Sequence, residues 1–336
     1  MWSEQKLNDL LTTPSEALIQ DMARLDGDIL VLGAGGKMGP SLCVLATRAF
    51  TCAGVSRRVI AVSRFTDQGE RQWLDENGVE TISADLLDAK QRAALPRAEN
   101  VIFMAGRKFG TQGQAWLTWA MNAGLPAFIA QQYRGARVVV FSSGNVYPLS
   151  SPPGCAEEAP PAPVGEYAMS CLARERAFEY AAAQYGTLVL LFRLNYATNL
   201  RYGVLRDIAE AILEGQPVAL GTPCFNILWQ GSANEMALRG LLHTGTPAVR
   251  LNVTGPEILS VREAALRLGE ILGRAPIFEG PEGESALLSD ASLAMRLFGR
   301  PAVSADTLME WQGQWLLDGG RGLGKPTHFE ERKGSY

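Results

Sequence analysis

Histidine is nearly absent from this 336-residue chain, which holds only His243 and His328. The five cysteines (Cys43, Cys52, Cys155, Cys171 and Cys224) are odd in number, scattered, and never spaced as C-x-x-C. That excludes a zinc site and a disulfide framework as the organising chemistry. A surplus of positive charge is also missing, since 31 Lys and Arg stand against 35 Asp and Glu, for a formal net charge of -4. Neutralising a nucleic-acid backbone needs a basic surplus, so no nucleic-acid partner is expected and a small molecule fits better. No stretch approaches the roughly 20 apolar residues that span a bilayer. The opening MWSEQKLNDLL lacks the basic-then-apolar order of a secretory signal. These absences predict a cytoplasmic protein with no membrane partner.

What is present reads as α/β. With 47% hydrophobic and 20% charged residues, the chain can fill a Rossmann-type, doubly wound parallel sheet and a smaller C-terminal substrate lobe. Residues 1–27 read as a helical extension whose Thr13 caps a helix, with Pro14 in the first turn and Glu16 closing a capping box. Apolar runs follow at 28–32, 59–62, 81–83, 101–104, 137–141 and 188–192, separated by stretches of helical length. Continuous apolar strands alternating with helices predict a sheet buried on both faces. One more run at 249–253 is expected near the sheet edge. The dinucleotide-binding domain is therefore set at 28–196, with 223–255 returning to it. Residues 197–222 and 256–318 are assigned to the substrate lobe, and 319–336 to an extended or partly mobile tail. The proline-rich segment 148–163 reads as a loop over the strand ends.

Between the first run and the first long helix stands Gly33-Ala34-Gly35-Gly36-Lys37-Met38-Gly39. Glycines at the first, fourth and seventh positions suit a tight turn, close backbone approach to a pyrophosphate, and close packing of helix on strand, and the helix N-terminus attracts the anion. Gly33, Gly36, Lys37, Met38 and Gly39 are the candidate phosphate-cradling residues. At the end of the second run, where an acidic residue would favour NAD, the chain reads Ser63-Arg64. A hydroxyl and a guanidinium suit a 2′-phosphate, which favours NADP over NAD. Asp85 and Leu86 are then placed at the adenine, and Ala105 and Gly106 beside the pyrophosphate and nicotinamide ribose.

In order, GAGGKMG, Asp85-Leu86, FSSGNVYP at 141–148, EYAMSCLARE at 166–175 and LNVTGPEILSVREAA from Leu251 make the chain resemble the NAD(P)-dependent epimerase/dehydratase family of extended short-chain dehydrogenases. The resemblance covers residues 28–299. It implies a Ser/Tyr pair that polarises the reacting oxygen, here Ser143 and Tyr167. It also implies a lysine four residues after the tyrosine, whose ammonium binds the nicotinamide ribose and lowers the tyrosine pKa. That position is Cys171. Gly144-Asn145 replaces the Asp-Glu pair that dehydratases of the family use, so water elimination by that route is not expected.

Without the lysine, a phenol near its usual pKa of about 10 is on the order of 0.1% ionised at pH 7, which weakens it as a base. A protonated phenol still donates to a developing alkoxide, which biases the chemistry towards carbonyl reduction. Cys171 shares a helix face with Tyr167 and is either a weak acid or nucleophile, or an inert packing residue. Lys108 and its neighbour Arg107 are candidate substitute cations. Asn145, Asn195 and Asn199, with Lys108, are candidate substrate contacts, and Arg193 and Tyr196 lie in the same stretch. The tryptophans read as core or interface anchors. Two functions remain open. One is an NAD(P)-dependent oxidoreductase or epimerase acting on a sugar, sugar acid or sugar nucleotide; the other is a cofactor-loaded regulator or scaffold with little activity. A homodimer through helices 114–133 and 167–185 is expected from the resemblance.

Overall fold

In the computed structural model, residues 1–108 and 113–334 are described. The chain opens with α1 (Glu4–Thr12) and α2 (Glu16–Arg24). The cap of α2 is Ser15, not Thr13. Ser15 Oγ accepts from Leu18 N at 3.1 Å, whereas Thr13 donates its hydroxyl to Asp9 O at the end of α1. A further helix, α1, precedes the one expected to start at Thr13, and Pro14 has no N–H with which to carry α1 on into α2.

The core is a seven-stranded parallel sheet. Its strands are β1 (Ile29–Leu32), β2 (Val59–Ser63), β3 (Glu80–Ser83), β4 (Asn100–Phe103), β5 (Arg137–Ser143), β6 (Leu188–Leu194) and an edge strand, Val249–Val253. They run in the order edge strand, β6, β5, β4, β1, β2, β3. Strand order therefore reverses between β1 and β4, which opens a crevice at their carboxyl ends. Alternate residues of the strands serve the two faces. Ile29, Val31, Ala61, Ile102 and Val139 join one buried cluster, while Leu30, Leu32, Ile60, Val101 and Val138 join the other. Each fully buried Val, Leu or Ile side chain contributes roughly 1.5–3 kcal/mol of transfer free energy.

Helices cover both faces: α3 (Gly39–Cys52), α4 (Gln68–Glu76), α5 (Ala89–Ala93), α6 (Ala115–Trp119), α7 (Leu125–Gln132) and α8 (Gly165–Tyr185). Between α6 and α7 the backbone makes a π turn, Ala120–Gly124, with Leu125 N–H reaching Ala120 O. Pro126 has no N–H to offer the Asn122 carbonyl, so the helical ladder is already broken at this point.

The smaller lobe is built on α9 (Val204–Glu214), α11 (Val261–Leu272) and α13 (Ala305–Leu317), which share a third buried cluster. Between them in the chain, α10 (Gln230–Arg239) returns to the sheet's helical layer, and α12 (Ser292–Phe298) packs by the edge strand. Leu7 and Leu11 of α1 are buried in this lobe's cluster, and Trp2 rings meet Trp311 and Trp315 edge-on. The tail is not a loose extension. Thr327 is buried and gives both its N–H and its hydroxyl to Asp207 of α9. Phe329 enters the lobe's cluster, and Arg332 donates to Gly221 O and Ser285 O.

Candidate functional site

The turn after β1 is held by backbone contacts that tolerate no side chain. Gly33 has φ +91°, and a Cβ there would lie 2.5 Å from Ala105 N. A Cβ on Gly39 would lie 2.1 Å from Ala34 O, so α3 starts hard against the turn. A Cβ on Gly36 would meet only Gly33 O, at 3.6 Å. α3 starts without a side-chain cap and with Pro40 in its first turn, so its leading amides have no helical partners and suit an anion.

Two hollows meet over the turn. One, about 370 Å³, is lined by Ser63, Arg64, Asp85, Leu86 and Ala105. The other, about 340 Å³, is lined by Lys37, Met38, Lys108, Ser143, Asn145, Tyr167 and Asn195, among others. Both include Gly33, Gly36 and Gly106, so they form one trough across the point where strand order reverses. An elongated ligand with a central pyrophosphate fits this shape and these donors.

Ser143 ends β5. Its hydroxyl donates to Asn145 Oδ1 at 2.9 Å and accepts from Asn145 N at 3.2 Å, which caps a 3-10 turn, Gly144–Val146. Tyr167 enters from the first turn of α8, and its phenol hydrogen-bonds to Ser143 and the Cys171 thiol. Burial raises the phenol's pKa well above its usual value; Cys171 adds to the rise, and Arg174 opposes it. Burial likewise raises the Cys171 thiol. Both groups therefore hold their protons at neutral pH.

The chemistry-bearing wall has one sign. Lys37, Arg107, Lys108 and Arg174 line the hollow that holds Ser143 and Tyr167, and no Asp or Glu does among the described residues. The Lys37 ammonium lies 3.2 Å from the Tyr202 ring centroid. Burial first, then Lys108 and Lys325, push its pKa down to about 7, against the pull of Asp207. Lys108 Nζ donates to Thr327 O at 3.3 Å and stands 5.9 Å from the Tyr167 ring centroid; burial lowers its pKa to about 8.

A model of the NAD dependent epimerase/dehydratase family matches residues 29–230, more than half of the chain. The chain belongs to this family. No curated relative matches it. Solved structures share the fold. The UDP-glucuronic acid 4-epimerase of Bacillus cereus, in complex with a 4-deoxy-4-fluoro substrate analogue and NAD, is 18% identical with a TM-score of 0.74, over 87% of this chain and 99% of that one. An epimerase of Methanothermobacter thermautotrophicus is 18% identical with a TM-score of 0.73, over 90% and 96%. The Thermus thermophilus UDP-glucose 4-epimerase, complexed with NAD, is 20% identical with a TM-score of 0.68, over 85% and 98%.

Within this family frame, the candidate residues divide. Gly33, Gly36, Lys37, Met38, Ser63, Arg64, Asp85, Leu86, Ala105, Gly106, Lys108, Ser143, Asn145, Tyr167 and Asn195 line the trough. Cys171 is fully buried behind Tyr167, with Val146, Tyr147 and Cys155. Asn199 is not among the lining residues: its amide donates to Gln230 Oε1, and its carbonyl accepts from Arg201 N. Arg193 is also removed from the trough, locked bidentately on Glu175 with Nη1 on Tyr147 Oη. Asn195 spends its side-chain N–H groups on Asn226 Oδ1 and Leu287 O, tying β6 to the smaller lobe.

Two residues escaped the sequence reading. Asn122, aimed inward by the π turn, accepts from Arg107 N and Arg174 Nη2 and donates to Arg107 O and Ser170 Oγ. It fixes the loop after β4 against α8, and Pro126 was its only local signal. Arg174 was hidden in a charged helical stretch.

Proposed function

We propose that the protein is an NADP-preferring oxidoreductase or epimerase of this family that acts on an acid-bearing sugar or sugar nucleotide. The observation that carries the reading is the juxtaposition of Tyr167 and Ser143 on the wall of the trough that continues from the glycine turn. A bound nicotinamide supplies or accepts a hydride. The chain's own residues bind, orient and move a proton. Turn amides and the α3 N-terminus suit a pyrophosphate, and Arg64 at the far end suits a 2′-phosphate. Ser143 Oγ, whose proton goes to Asn145 Oδ1 in the ligand-free protein, turns that proton to the substrate oxygen that Tyr167 also faces. Because Tyr167 keeps its proton at neutral pH, it acts as a donor to an oxygen gaining charge, which favours carbonyl reduction. The charged groups of this lining are basic, with no carboxylate among the described residues, which favours a substrate that brings negative charge of its own.

The test is NADPH oxidation with UDP-linked keto sugars and free keto-uronates, and with NADH in parallel. Tyr167→Phe is expected to lose roughly 10²–10⁴-fold in turnover while melting like wild type. Full turnover in Tyr167→Phe removes the mechanism. A second reading is supported by the neutral, buried Tyr167–Cys171 pair: a dinucleotide-loaded regulator. It predicts tight dinucleotide uptake with no turnover on any of these substrates.

A further inference from the structure

The thiol at position 171 brings no charge to the place where the family's motif carries an ammonium. The same face of α8 carries a different cation, since Tyr167, Cys171 and Arg174 stand at i, i+4 and i+7. Arg174 is 5% exposed. Its Nη1 donates to Phe141 O at 2.5 Å and its Nη2 to Asn122 Oδ1 at 2.9 Å. Both acceptors are neutral, and its Nε is buried with no hydrogen-bond partner among the described residues. Long helical side chains lean towards the N-terminus, so the guanidinium reaches back past Cys171 to the loop after β4. There a Cβ on Gly106 would come within 2.6 Å of Nη2, so the loop backbone lies directly on the guanidinium. Arg174 also lines the trough.

A purely structural arginine at this depth has an obvious partner in the carboxylate of Glu175, the next residue. That carboxylate is already taken on both oxygens by Arg193 and on one by Ser142. Among the described residues no carboxylate is thus left to pair with Arg174 beside the reacting groups, a costly arrangement for a residue whose only task is packing.

We propose that Arg174 supplies, from one turn further along α8, the fixed positive charge that the lysine of the Tyr-x-x-x-Lys motif supplies elsewhere in the family, and that Cys171 is the small neutral companion of this relocated cation. This rests on the reading of Tyr167 as the proton donor. Arg174 acts through Tyr167 as a positioning residue: its field stabilises the phenolate left once the proton has gone to the substrate oxygen. The groups facing Tyr167 are Ser143, Cys171, Lys108 and Arg174, and those facing Cys171 add Glu175. Lys108 is the competing source of charge and has its own arm in the test.

The experiment replaces Tyr167 by a fluorinated tyrosine, whose phenol ionises nearer neutral pH, and titrates it by fluorine NMR in cofactor-free protein. Arg174→Gln is expected to raise the midpoint by about one unit, a tenfold loss of phenolate at fixed pH. Arg174→Lys should hold most of the wild-type midpoint, and Lys108→Met should move it less than Arg174→Gln does. Equal midpoints in wild type and Arg174→Gln overturn the proposal. Thermal melting gives a second reading that needs no titration. Cys171→Lys should lower Tm in the wild-type background, where two cations then share one spot, and lower it less in an Arg174→Ala background. An equal loss in both backgrounds overturns the shared-spot argument. Dinucleotide uptake is measured separately by calorimetry. Its absence removes the proposed function and leaves the titration result standing.

Discussion

Lys37 gives the site a measurable proton linkage. Its amine is half-buried in the glycine turn with a pKa pushed down to about 7, and Lys108 across the trough is at about 8. At pH 7 the ligand-free protein then has Lys37 about half deprotonated and Lys108 about one-tenth deprotonated; at pH 8 these become about nine-tenths and one-half. The pyrophosphate of a dinucleotide brings negative charge to the turn and returns both amines to the protonated form. Binding should therefore take up about 0.6 protons at pH 7 and about 1.4 at pH 8. Lys37→Met leaves only the share of Lys108, about 0.1 and about 0.5 at the same two pH values. The assay is calorimetric titration with NADP(H) in buffers of different ionisation enthalpy. Uptake near zero at pH 8, or the same in Lys37→Met as in wild type, refutes the reasoning. Stability carries the opposite face of the same linkage. The folded-state pKa of Lys37 lies below its unfolded value of 10.5, so the unfolded chain binds more protons between about 7 and about 10.5. Its penalty is full below pH 7 and disappears as pH rises through that window. Ligand-free Lys37→Met should accordingly melt above wild type at pH 7, with the gap closing towards pH 10.

Five further outcomes are expected. Gly33→Ala, which meets both a φ of +91° and a Cβ contact at 2.5 Å, should cost at least about 3 kcal/mol of stability in denaturant unfolding and abolish dinucleotide uptake. Arg64→Ala should weaken NADP by about 1.5–3 kcal/mol and leave NAD unchanged in calorimetry. In the same assay Glu70→Gln should favour NADP further, because this half-buried carboxyl stands by Gly35 and Ser63 with its pKa raised by burial to about 7. Glu175→Gln should destabilise the fold by about 3–5 kcal/mol in urea, since it strands the buried Arg193. Phe128 of α7, Trp116 of α6 and Tyr180 of α8 are exposed, and Phe128→Lys should turn the homodimer expected from α7 and α8 into a monomer in light scattering.

The strands and the glycine turn were legible because each is written locally. Unbroken apolar runs can only be buried on two faces, and Gly33 and Gly39 occupy points where a Cβ collides with backbone a few residues or one strand away. That Ser143 and Tyr167 meet in one hollow was legible through short motifs whose spacing carries over from the family. What stayed hidden depends on distant partners. Asn199 looks like a cleft residue in sequence, but Gln230 and Arg201 claim its amide after the chain has travelled through α9 to α10. The tail reads as polar and loose; Asp207 and the apolar lobe pin Thr327 and Phe329 only once α9 is in place. Arg174 is the sharpest case. Among Arg174, Glu175 and Arg176, one end of the triplet faces the trough, the middle pairs inward with Arg193, and the other end pairs with Glu179 at the surface. Helical phase separates the three, but only the prior claim of Arg193 on Glu175 leaves Arg174 without a counter-charge. An unpaired cation is therefore a property of the folded network, and no local pattern of charges could announce it.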